Sequence, residues 1–161
     1  MKTLVVGIGS PYGDDEIAWQ VIDELASSNS FSAELAFMKS KANSNEWFHD
    51  LQNYQQLIIL DAVINQQSPG QVGVFAEQDL VTANNKTTLS SHGLSLAENI
   101  ELARNLQILP QHLLILGITV GEKPSITDMS LDLQQMLPDI VRYIVDHISE
   151  AFNANPVANN N

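Results

Sequence analysis

Three places along this chain combine residue types and spacing that can do chemistry. The first is Gly7-Ile8-Gly9-Ser10-Pro11-Tyr12-Gly13-Asp14-Asp15-Glu16, where a short apolar run gives way to glycines and then to three consecutive carboxylates. The second is Asp61, which interrupts the apolar run Leu57–Val63, and the third is His92 in Ser90-Ser91-His92-Gly93. A carboxylate buried bare costs several kcal/mol, so Asp61 must be paired, hydrogen-bonded or metal-bound, or else turn the chain or cap a following element. Two carboxylate oxygens and one imidazole nitrogen form an incomplete coordination sphere for a borderline divalent metal, leaving positions open. Asp15 and Asp61 acting as a paired-carboxylate acid/base couple is compatible with that. Plainer uses compete: acidic residues suit the positive end of a helix, and a lone His before a helix serves as a polar cap or surface group.

Other chemistries fit less well. Gly7, Gly9 and Gly13 do not have G-x-G-x-x-G spacing, and Asp14, Asp15 and Glu16 would repel a pyrophosphate at the helix start. Ser90 or Ser91 with His92 and Asp61 supplies the types of a nucleophilic triad, but there is no G-x-S-x-G elbow. A serine next in sequence to its base also reaches it poorly. A small-molecule hydrolase or phosphorylase would need an anion-binding cation, for which only Lys39, Lys41, Lys86 and Lys123 fall in loops. With no cysteine there is no thiol nucleophile, disulfide framework, zinc finger or iron–sulfur ligand set. A net charge of −12 excludes a general nucleic-acid binder and argues against docking on an anionic membrane.

The elements that must position these residues follow from hydropathy. Lys2–Ile8, Leu57–Val63 and His112–Thr119 read as buried strands, with Ser32–Met38 and Gln71–Ala76 as weaker ones. Asp15–Ala26 reads as a helix through Ile17, Ala18, Val21, Ile22 and Leu25, with Asp14 as its N-cap. Asn45–Asn53 is expected to be a short helix. Leu94–Leu106 is another through Leu96, Ala97, Ile100 and Ala103, and a last helix carries Leu133 to Ile148, with a kink or fresh first turn at Pro138. Strands apolar on both faces and separated by helices imply an α/β fold of three layers, α/β/α, with a mostly parallel twisted sheet and helices on both faces. The 161 residues suit a single domain over 1–152, followed by a flexible polar tail over 153–161. The first apolar run is too short for a signal peptide and no run approaches a membrane span, so a cytoplasmic protein is expected.

Taken together, these residues resemble the hydrogenase maturation endopeptidases. Members of that family open with a strand and G-x-G-N-x-x-x-x-D-[DE], place a second Asp at the end of an apolar strand, and carry a His before a later helix. The counterparts here are Gly7-Ile8-Gly9-Ser10 through Asp14-Asp15, then Leu57–Asp61-Ala62, then Ser91-His92-Gly93-Leu94. The resemblance spans most of 1–152. It implies a cytoplasmic protease, a monomer, that removes the C-terminal extension of a nickel–iron hydrogenase large-subunit precursor. It further implies Asp15, Asp61 and His92 as both the catalytic and the nickel-contacting residues, with Glu16 as an alternative to Asp15. The nickel would be the precursor's own, recognised transiently and not stored. A non-catalytic nickel-sensing chaperone of the same precursor is the alternative. Three departures stand out: Ser10 replaces the usual Asn, the loop before the acidic pair is one residue shorter, and Glu16-Ile17-Ala18-Trp19 replaces small residues. The last leaves the tight packing of helix on strand open.

Overall fold

The computed structural model describes residues 1–28, 31, 33–80, 88–89 and 93–153. Its elements are β1 (Thr3–Ile8), α1 (Ile17–Ser27), β2 (Leu35–Ser40), β3 (Gln56–Ile64), β4 (Val72–Phe75), β5 (Thr88–Leu89), α2 (Gly93–Asn105), β6 (His112–Thr119) and α3 (Leu131–Asn153). The main strand order is β2-β1-β3-β6-β4, with β5 pairing beside β3. β2, β1, β3 and β6 are parallel, whereas β4 and β5 run antiparallel to their neighbours.

The alternation of side chains along each strand divides the core in two. Val5, Ile58, Leu60, Leu116 and Ile118 face a layer made by Ile17, Ala18, Val21, Ile22 and Leu25 of α1 and Leu133, Ile140, Ile144 and Ile148 of α3. Leu4, Val6, Ile8, Leu57, Ile59 and Ile115 face the opposite layer, made by Leu96, Ile100 and Ala103 of α2 together with Trp47 and Leu51. The expected three-layer α/β/α arrangement is therefore observed, and each buried aliphatic side chain contributes about 1.5–3 kcal/mol.

Some elements differ from expectation. Residues 45–53 form two 3-10 turns, Glu46–Phe48 and Leu51–Asn53, because Asp50 between them takes a left-handed conformation at φ 50°. The α3 helix runs without a break through Pro138, which lies exposed, where water can satisfy the carbonyl its missing N–H leaves free. That helix also takes in Asn153, the first residue assigned to the tail, while 154–161 lie outside the described residues.

One feature of the topology positions the chemistry. From β1 the chain moves outward to β2, then returns across β1 to β3, so the strand order reverses between β1 and β3. Loops that leave adjacent strands toward opposite sheet faces open a crevice at the carboxyl ends of those strands, where open α/β sheets bind ligands.

Candidate active site

The first acidic segment is shaped by close backbone approach. A Cβ on Gly7 would lie 2.7 Å from Ile22 Cγ1 and 2.8 Å from the Ala18 carbonyl oxygen, so α1 rests directly on β1. The tight helix–strand packing is thus retained. Ala18 supplies the small residue, and Trp19 turns to the sheet edge, where its Nε1 donates to the Ser40 carbonyl at 3.1 Å. A Cβ on Gly9 would lie 2.3 Å from the Asp15 carbonyl oxygen, which brings the acidic turn back against the end of β1. The glycines are explained by packing and need no nucleotide.

Residues Gly13–Glu16 form a 3-10 turn, and α1 begins only at Ile17. The three carboxylates separate in role. Asp14, expected to cap the helix, is instead buried, and its carboxylate accepts the backbone N–H groups of Ser125 and Ser130 at 2.8 and 2.7 Å. Glu16 accepts a hydrogen bond from Gln20 Nε2 in the first turn of α1 at 2.7 Å. Asp15 lies half-buried between them, its backbone carbonyl facing the Ser10 N–H at 3.4 Å.

Asp61 is fully buried inside β3 and does not end the strand. Its position comes from unequal strand lengths. The β1–β3 ladder stops at Gly7 opposite Leu60, and β5 joins the same edge of β3 only at Val63 opposite Leu89. Asp61 and Ala62 pair in register with Gly117 and Ile118 on β6. The Ala62 N–H donates to Asp61 Oδ1 at 2.9 Å. Asp61 therefore lies level with the end of β1, at the crevice. By strand alternation it faces the α2 layer with Ile59 and Val63.

His92, with Ser90 and Ser91, lies outside the described residues. The elements around it are described: β5 ends at Leu89 and α2 starts at Gly93. Because α2 leads into the parallel strand β6, its first residue belongs at the carboxyl end of the sheet, on the face to which Asp61 points. Among the described residues no group of three or more Asp, Glu or His side chains is gathered to hold a metal ion. Asp15 and Asp61 thus share one end of the sheet, and a three-ligand cluster would require His92. Of the lysines expected in loops, Lys39 instead lies in β2, where Asp23 engages it at 2.7 Å. A surface cavity of about 280 Å³ lies at the opposite, amino end of the strands, lined by residues including Lys2, Glu34, Asp50 and Tyr54, and is remote from this chemistry.

A family model described as hydrogenase maturation protease matches residues 19–147. That span is well over half of the chain; it begins just after Asp15 and includes positions 61 and 92. The chain belongs to the hydrogenase maturation protease family. Solved structures agree in fold. The hydrogenase maturating endopeptidase HybD from E. coli is 21% identical, with 94% of each chain covered and a TM-score of 0.76. The [NiFe] hydrogenase maturation protease HycI from Thermococcus kodakarensis KOD1 is 15% identical, with 90% of each chain covered and a TM-score of 0.69. The hydrogenase 2 maturation peptidase from Thaumarchaeota archaeon SCGC_AB-539-E09 is 21% identical over 92% of this chain and 98% of that one, with a TM-score of 0.62. Among curated protein sequences none matches. This hydrogenase maturation protease is a hydrolase, and no helix among its described residues is long and apolar enough to cross a membrane. What sequence reasoning missed is the use of Asp14. Its partners are backbone N–H groups more than a hundred residues away, which leave no signature in side-chain type or spacing.

Proposed function

We propose that this protease cuts the C-terminal extension from the large-subunit precursor of a nickel–iron hydrogenase, in the cytoplasm and as a monomer, after reading the precursor's nickel with Asp15, Asp61 and His92. The observation that carries the reading is Asp61. A carboxylate buried in the middle of an apolar strand, at the crevice where the strand order reverses, has a cost that folding alone does not require. Oxygen and nitrogen donors of this kind suit nickel, and the metal enters as part of the substrate. Asp15 is taken as the second carboxylate because its backbone carbonyl packs against Gly9 at the end of β1, with Glu16, the next residue of the same 3-10 turn, as the alternative. Hydrolysis needs a water nucleophile, activated by an aspartate or beside the metal.

The test is incubation of the protein with purified precursor, with and without nickel. A small loss of precursor mass that depends on nickel supports the protease. Stable complex formation without mass loss would overturn it in favour of a nickel-sensing chaperone.

A further inference from the structure

Beyond the carboxylates already assigned, the structure has a clamp between the acidic turn and the loop that joins β6 to α3. Asp14 is only 2% exposed, and its two carboxylate oxygens accept the Ser125 and Ser130 N–H groups. Two backbone bonds add to this: Asp14 N–H donates to the Ser125 carbonyl and Gly13 N–H to the Thr127 carbonyl, each at 2.9 Å. Gly13 is required here. Its φ is +59°, and a Cβ would lie 2.1 Å from the Ser125 oxygen and 2.8 Å from Ile126 Cα.

A loop tied this closely nonetheless carries large apolar side chains into solvent. Ile126 is 82% exposed, and Tyr12, the neighbour of Gly13, is 67% exposed. The Gly13 turn lies against the Ile126 backbone, so Tyr12 and Ile126 stand on adjoining backbone, and apolar groups on a backbone held in place lower the ordering cost of binding.

We propose that Asp14 is a positioning residue that joins the Asp15 turn and the Ser125–Ser130 loop into one rigid ledge, on which Tyr12 and Ile126 seat an apolar stretch of the precursor's polypeptide beside the acidic site. This rests on the protease reading above. The occupant follows from continuity and charge. Asp15 is the second residue after Gly13 on the same turn, and an endopeptidase must hold its substrate chain on at least one side of the bond it cuts. Asp128 and Asp132 on the same stretch disfavour an acidic segment.

The test measures initial rates over a range of nickel-loaded precursor concentrations for the full chain and for Ile126→Ser, Tyr12→Ser and Asp14→Asn. The two surface variants should raise KM about tenfold with kcat within about twofold and an unchanged melting temperature. Asp14→Asn should raise KM similarly and speed amide exchange at Ser125 and Ser130 more than about tenfold while α1 amides stay protected. A purely structural Asp14 would lower kcat through the active fraction and leave KM where it was. Unmoved KM in the surface variants, or retained protection at Ser125 and Ser130 in Asp14→Asn, would overturn the proposal. So would self-association that Ile126→Ser removes without moving KM. Should the unmodified chain fail to cut, the protease reading falls separately. The ledge is then judged by precursor affinity, which Ile126→Ser must weaken for it to stand.

Discussion

At the scale of single residues, the three consecutive carboxylates show how identical chemistry divides by environment. Asp14 meets backbone donors from a distant loop, Glu16 meets a glutamine one turn away, and Asp15 lies between them on the 3-10 turn. Their substitution should therefore sort cleanly. Asp15→Asn is expected to reduce cleavage of nickel-loaded precursor by about 100-fold or more, the range for loss of an acid–base or ligand group, while Glu16→Gln stays within about twofold. Steady-state cleavage rates of the two variants, measured side by side, check this; the reverse ranking would move the ligand to Glu16. Asp61→Asn isolates charge from shape. An asparagine oxygen still accepts the Ala62 N–H, so thermal unfolding should shift little, at about 3 °C per kcal/mol for a domain of this size. Cleavage should fall by about 100-fold or more. A variant that unfolds early but cuts normally would make Asp61 a structural acceptor only.

At the scale of elements, the site is made by where strands stop. Asp61 is buried at the crevice, one position past Leu60, where the β1–β3 ladder ends. The acidic turn is held there because Gly9 admits the Asp15 carbonyl. Gly9→Ala places a methyl group 2.3 Å from that oxygen, so the turn must move. Overpacking of this kind costs about 1–3 kcal/mol, but the loss of cleavage should exceed the loss of folded protein, since the displaced group is the backbone that carries Asp15. Circular dichroism melting and cleavage rates on the same samples separate the two effects.

This scale also shows what the sequence could and could not reveal. β1, β3 and β6 are legible because their central residues are buried on both faces, and the apolar run His112–Thr119 coincides with β6. The helix α1 is legible by its apolar stripe, but it starts two residues later than Asp15, because the Gly13–Glu16 turn closes with 3-10 geometry. β5 has two residues, too few for any period, and its pairing depends on the free edge that β1 leaves. The acidic segment and Asp61 were legible as chemistry, since carboxylates after an apolar strand are conspicuous. The clamp through Asp14 was not, because it depends on two backbone donors that only the folded chain brings near.

For the whole molecule, the decisive quantity is charge. The chain carries −12, with only seven Lys and Arg. Several of these are already neutralised locally: Lys39 by Asp23, Arg104 by Glu77 at 2.5 Å, and Arg142 by Asp139. The remaining acids act together as a negative field. Such a field extends about 10 Å at 0.1 M salt and about 3 Å at 1 M, so it can steer encounter with a basic face of a partner only at low ionic strength. If the precursor presents such a face, its association rate should fall several-fold as salt rises from about 0.05 to 0.5 M, while the rate of the bound complex's cleavage stays constant. Stopped-flow association over that range checks it. The ledge of Tyr12 and Ile126 should behave oppositely, because apolar burial is not screened: its variants should change dissociation at every salt concentration. An association rate indifferent to salt would leave the charge as a device for solubility, and recognition would then reside in the proposed ledge and the proposed nickel-reading side chains alone.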